Sequence, residues 1–139
     1  MTERIADIDR ARAAVDESSW SEAYDLFRAL EPLDDPHDRE RFADAAWWTG
    51  RIEESIAARQ KAYTGYAEEG DDRRAGWMSA RLCMEYFLRD EPAVGAGWFA
   101  CLWVRANHPA PTAGSSRRKC SMHSRADIHP ARRSSPASA

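Results

Sequence analysis

The sequence predicts a single all-α domain of three helix pairs, and three observations carry that expectation. Apolar residues recur at helical spacing along residues 3–104. Capping residues, Pro and Gly punctuate the same stretch at intervals that leave room for six helices and only short connections. No segment shows the strict apolar–polar alternation of a half-buried strand.

The elements follow in order. Residues 3–17 place Ile5, Ile8, Ala11 and Val15 on one helical face, with Asp and Arg filling the other. Ser19-Trp20-Ser21-Glu22 reads as a capping box. The helix it opens aligns Trp20, Ala23, Tyr24, Phe27 and Leu30, and stops at Pro32. Asp35-Pro36 supplies an N-cap and a first-turn Pro for a third helix. It runs to Thr49 with Phe42, Ala45, Ala46 and Trp47 or Trp48 inward, until Gly50 breaks it. A fourth helix carries Ile52, Ile56, Tyr63 and Tyr66, before Glu68-Glu69-Gly70-Asp71-Asp72 interrupts. The fifth shows Trp77, Ala80, Met84 and Phe87 or Leu88, and Asp90-Glu91-Pro92 starts a sixth with Val94, Trp98, Phe99 and Leu102.

Composition bounds what such a chain can be. At 139 residues with 43% apolar content, it has enough core for one small domain. No run approaches the length of a membrane span. The N-terminus lacks a basic-then-apolar leader, and the cysteines (Cys83, Cys101, Cys120) are odd in number and widely spaced. Both observations favour a reducing, cytoplasmic setting. Charge is segregated: residues 1–104 carry 13 Lys+Arg against 22 Asp+Glu, whereas residues 105–139 carry 7 against 1. The second segment is rich in Ser, Pro and His and holds almost no large apolar residue. The expectation is a folded domain over 1–104 and a disordered basic tail over 105–139.

The helix pairs repeat one another. Leu82-Cys83-x2-Tyr86 with Gly95 and Phe99 resembles the tetratricopeptide pattern, in which small residues sit where two helices of a hairpin approach most closely. The second pair repeats it as Phe42-Ala43-x2-Ala46 with Ser55, Arg59 and Ala62, and the first as Ala11-x2-Ala14 with Ala23, Phe27 and Leu30. The spacings between Ala23, Ser55 and Gly95 are 32 and 40, uneven beside the usual period of about 34. Arg59 stands in an aromatic slot. The fold expected is therefore a tetratricopeptide-like α-solenoid of about three hairpins.

Three segments go further than the generic repeat: Ala45-Ala46-Trp47-Trp48-Thr49-Gly50-Arg51, Ala58-Arg59-Gln60-Lys61-Ala62-Tyr63, and Glu85-Tyr86-Phe87-Leu88-Arg89-Asp90-Glu91-Pro92-Ala93. Over residues 3–100 the chain resembles the helical repeat region of actinobacterial LuxR-type transcriptional regulators. In that family the repeats precede a DNA-binding helix-turn-helix, which does not appear here. The resemblance implies the regulatory scaffold, with DNA reached only through a domain absent from this chain.

Candidate sites are few. Cys101, His108, Cys120, His123 and His129 are ligand types, but only Cys120-x2-His123 has close spacing, so no metal is expected. Gly95-x-Gly97 lacks a preceding strand and a third Gly, so no phosphate loop is expected. His37 with Asp34, Asp35 and Asp38 reads as capping charge at a helix N-terminus. No catalytic residue and no cofactor is expected. The tetratricopeptide register places His37, Glu40, Asp44, Trp47 and Trp48, and in the next repeat Trp77, Ala80, Met84, Phe87 and Leu88, on a concave face. Its aromatics and carboxylates would suit a peptide carrying basic and apolar residues, and the alternative is that these side chains pack against a neighbouring repeat.

The function expected is non-catalytic protein–protein interaction within a bacterial transcriptional regulator, through a protein or peptide partner and without a membrane. Two other classes compete: a helical accessory segment of a signalling enzyme such as a nucleotide cyclase, and a non-specific nucleic-acid binder using the basic tail. The second is separable by salt-dependent DNA retention. Helix 6 offers Val94, Trp98, Phe99, Cys101, Leu102 and Trp103 with no capping helix after it. An exposed apolar patch and self-association through that end are expected.

Overall fold

The computed structural model describes residues 1–107. Among them lie six α-helices and no strand: α1 (Thr2–Asp16), α2 (Trp20–Leu30), α3 (Pro36–Trp48), α4 (Ile52–Glu69), α5 (Asp72–Leu88) and α6 (Pro92–Asn107). Each helix packs chiefly on its neighbours in the chain, which gives three hairpins, α1/α2, α3/α4 and α5/α6, laid one against the next. None of these helices is long and apolar enough to cross a membrane.

The three hairpins close with the same turn. After α1, the amides of Glu17, Ser18 and Ser19 donate to the carbonyls of Ala13, Val15 and Ala14. After α3, those of Thr49, Gly50 and Arg51 donate to Ala45, Trp47 and Ala46, and after α5, those of Arg89, Asp90 and Glu91 to Glu85, Phe87 and Tyr86. The middle residue is left-handed each time, with φ of 57° at Ser18, 77° at Gly50 and 59° at Asp90. This closure satisfies the last carbonyls of the helix. Ser18, Gly50 and Asp90 are offset just as Ala23, Ser55 and Gly95 are, so the uneven spacing has a plain cause. The interval grows because α4 and α5 have 18 and 17 residues, where α2 and α3 have 11 and 13.

The small-residue slots lie at the closest approach within each hairpin. Ala23 and Ser55 are fully buried. At Gly95 an added Cβ would sit 2.9 Å from Phe87 Cδ2 and 3.0 Å from the Cys83 carbonyl oxygen. A larger side chain there would force the axes apart. Two clusters make the core. One is alanine-rich and gathers Ala11, Ala23, Phe27, Phe42, Ala43 and Ala46. The other gathers Ile56, Tyr63, Tyr66, Met78, Leu82 and Trp98. The long α4 contributes to both, through Ala58 to the first and Ile56, Ala62, Tyr63 and Tyr66 to the second.

Several local expectations are corrected. Ser19 is the N-cap of α2, but its hydroxyl makes no capping hydrogen bond. The Asp35 carboxylate, by contrast, accepts from the His37 amide at 2.9 Å as expected. α5 carries two apolar stripes. The buried one is Ala75, Met78, Ser79, Leu82 and Glu85, and the stripe read from the sequence, Trp77, Met84, Phe87 and Leu88, is the exposed one. On α6, Trp98 and Cys101 are buried rather than part of an exposed end. Cys83 is a free, half-buried thiol with a pKa raised by burial. Cys101 is disulfide-bonded, so the expectation of reduced cysteines does not hold there. Helix α6 runs through Asn107, and Arg105 belongs to it. The expected tail beyond that point, with His108, Cys120, His123 and His129, lies outside the described residues.

Candidate functional site

The face expected to bind a partner divides into a bonded half and an open half. His37, Glu40 and Asp44 line one side of α3 at helical spacing, and Arg74, Trp77, Arg81 and Met84 line one side of α5. Charge joins them. Arg74 NH1 donates to Glu40 Oε2 at 3.2 Å, and Arg81 NH2 stands 3.7 Å from Asp44 Oδ1.

Beneath that surface α4 supplies a polar interior. Arg59, the residue in the aromatic slot, is 1% exposed and Glu85 on α5 is 0% exposed. Arg59 Nε donates to Glu85 Oε1 at 2.5 Å, and its NH2 donates to Asp44 Oδ1 at 2.8 Å. The Ser55 hydroxyl donates to Glu85 at 3.3 Å. One guanidinium thus ties α4 to both α3 and α5. Arg81, set beside it, has its pKa lowered by burial first and by the Arg59 charge second.

A second polar chain runs along the other end of the face. The Tyr66 hydroxyl donates to Glu40 Oε2 at 2.5 Å and lies 3.1 Å from His37 Nδ1. Its ring meets the imidazole edge-on at a centroid distance of 5.0 Å. Burial, and then the Glu40 hydrogen bond, lift the Tyr66 phenol well above its usual range. His37, Glu40 and Asp44 are therefore partnered within the chain. The carboxylates that suggested a basic ligand already hold arginines.

The aromatic members go elsewhere. Trp48 is 62% exposed and stacks on Trp20 of α2, at a centroid distance of 5.9 Å. It faces the neighbouring hairpin rather than α5. Trp47 is half-buried. Phe87 leans over Gly95 on α6. Trp77 and Met84 remain as open apolar groups on the α5 face, with Leu88 continuing their line, and Phe87 is itself half-exposed beside Gly95. Beside Trp77 an open groove of 720 Å³ runs between α5 and α6, lined by Gly76, Ala80, Leu102, Arg105 and Ala106. The charges at its rim are Arg73 and Arg74, both exposed, and Asp72.

Sequence reasoning missed Glu85, Tyr66 and Asp38 as members of polar locks. Asp38 is buried and accepts two hydrogen bonds at 2.8 Å from Arg12, which ties α3 to α1. Arg59 in an aromatic slot was the one available signal: a guanidinium placed there demands a buried acid. Among the described residues no three His, Cys, Asp or Glu side chains gather as a metal site. No family model, curated protein or solved structure matches the chain.

Proposed function

We propose that the chain is a non-catalytic protein–protein interaction scaffold, built as a tetratricopeptide-like α-solenoid and serving as the repeat portion of a LuxR-type bacterial transcriptional regulator. The resemblance over residues 3–100 and the shared turn of the three hairpins support the architecture. The observation that carries the binding role is Trp77, 54% exposed at the mouth of the α5/α6 groove. A large aromatic beside an open apolar groove is the usual anchor of a docked helix. The titratable groups nearby hold helices together, which suits a scaffold.

The rim charges refine the ligand. With Glu40 engaged by Arg74 and Asp44 by Arg59 and Arg81, the free charge beside Trp77 comes mainly from Arg73, which is exposed. The partner segment is an amphipathic helix with apolar and acidic residues, since opposite charge at the rim steers and orients docking. Selection of helical peptides from a displayed library against the full chain tests this. Enriched peptides are expected to be apolar and acidic, and to lose binding to Trp77→Ala. Enrichment that is indifferent to Trp77→Ala, or confined to basic peptides, overturns the groove.

A further inference from the structure

The geometry points to a second copy of this chain on the outer face of α6, in an antiparallel, two-fold α6–α6 contact. The common turn register shows what that face lacks. Phe27, Arg59 and Phe99 each stand nine residues after the left-handed turn residue of their hairpin. Phe27 is buried and meets Phe42 of α3 at 6.4 Å, and Arg59 is buried against Glu85 of α5. Phe99 is 54% exposed, and Trp103 one turn on is 61% exposed. The slot that the next hairpin covers twice in this chain is open in α6.

The other end of the chain does not fit it. Phe42 and Leu82, which pack on the preceding hairpin, stand eight residues before Gly50 and Asp90; the equivalent residue in α1 is Arg10. Arg10 lies in solvent with Glu22 at 3.4 Å. Stacking α1 of another copy on α6 would take that charge out of water against Phe99 and Trp103, at a desolvation cost the contact does not return. Head-to-tail growth is thereby disfavoured, and a closed isologous pair remains.

The α6 face is complementary to itself. Ala93, Ala96, Ala100 and Trp103 are all exposed and follow the alternating three- and four-residue spacing of a coiled-coil seam. Arg105 is the only charged residue of α6, and it turns inward to Asp72 at 2.6 Å, so no like charges meet across the pair. In the antiparallel register that sets Ala96 opposite Ala100 of the second copy, Trp103 faces the second copy's Ala93 and Phe99 its Gly97. Large side chains meet small ones throughout. A parallel pair would set Trp103 against Trp103.

Sedimentation equilibrium of the full chain at micromolar concentration tests this, with far-UV circular dichroism as a check on folding. The wild type is expected to be a dimer. Ala100→Glu, on an exposed position, should keep the helical spectrum and weaken dimerisation by about a hundredfold, since a buried unpaired charge is costly. The double variant Ala96→Lys with Ala100→Glu pairs opposite charges only in the antiparallel register, and should dimerise again. Ala96→Glu with Ala100→Glu should stay monomeric. A monomeric wild type, whether because residues 108–139 cover the face or because it stays bare, overturns the inference, and so do open-ended oligomers. A dimer that survives Ala100→Glu places the contact elsewhere, and a monomeric Lys–Glu variant rejects the antiparallel register.

Discussion

Arg59 Nε donates to Glu85 Oε1 at 2.5 Å in a place where neither side chain reaches solvent. The pair joins α4 to α5, and the second arm of Arg59 reaches Asp44 on α3. Removing Arg59 leaves Glu85 as a buried, uncompensated charge, which costs about 3–5 kcal/mol, whereas removing Glu85 leaves Arg59 still bonded to Asp44. Arg59→Met should lose that much in urea unfolding, and Glu85→Leu should lose less because Asp44 still holds Arg59. The double variant should recover most of it, because apolar side chains of similar volume replace the pair. Single variants as stable as the wild type would show that the pair does not hold these hairpins together.

The hairpin turns give a prediction whose sign depends on the residue. Gly50 sits at φ 77° with nothing within 4 Å of an added Cβ. Gly50→Ala therefore meets only the backbone penalty of the left-handed region, about 1–2 kcal/mol. Ser18 occupies the same place at φ 57°. Ser18→Gly should stabilise by up to about 1 kcal/mol. Opposite shifts in melting midpoint are expected. Equal signs would mean that the two turns are not equivalent.

Much of the fold was legible because it rests on local rules. Asp35-Pro36, Gly50 and the spacing of Ala23, Phe27 and Leu30 act within a turn or two, so the sequence displays them directly. α5 misled because both of its stripes are apolar. Met78 and Leu82 differ from Trp77 and Met84 only in which way the helix is rotated, and that is set by α4 and α6. The site was harder. Glu40 and Asp44 were placed on the right helix face, but their partners Arg59, Arg74 and Arg81 lie on other helices. Charge pairing across helices leaves no periodic trace, so free carboxylates were read where bonded ones exist.

The small slots can be probed by overpacking. Ala23 is fully buried at the α1/α2 contact, and Ala23→Leu should destabilise by roughly 1–3 kcal/mol. Gly76 makes a contrasting control, since an added Cβ would meet Leu102 Cδ1 at an ordinary 3.5 Å. Gly76→Ala should gain up to about 1 kcal/mol from helix propensity. Denaturant midpoints distinguish the two. Loss of stability in Gly76→Ala would show α5 and α6 to be closer than described.

Three tyrosines set an alkaline limit. Burial raises the phenols of Tyr24, Tyr66 and Tyr86, and Glu54 and Glu40 add to the effect at the first two. Their folded pKa values lie above the unfolded value of about 10, so the unfolded chain releases these protons first. The stability they contribute is complete below that pH and falls as pH rises beyond it. Phenolate absorbance and helical circular dichroism should therefore change together on alkaline titration. Reversible ionisation of Tyr24, Tyr66 and Tyr86 near the ordinary phenol range, with helicity intact, would contradict the burial.

Arg105 separates the folded domain from the basic composition that follows it. Its NH1 donates to Asp72 Oδ1 at 2.6 Å, its Nε to the Tyr63 hydroxyl at 3.0 Å, and its guanidinium carbon lies 5.1 Å from the Tyr63 ring centre. Hydrogen bonds to charged groups contribute about 1.5–3 kcal/mol when sheltered. Asp72 keeps a third of its side-chain exposure, so screening brings the expected loss nearer to about 1 kcal/mol. Arg105→Ala and Asp72→Asn should each lower stability, and the double variant should lose less than the sum. Arg105→Lys should recover only part, because an ammonium cannot reproduce the planar contact with Tyr63. Strict additivity, or no loss in Arg105→Ala, would show that these contacts do not hold Arg105 to α4 and α5.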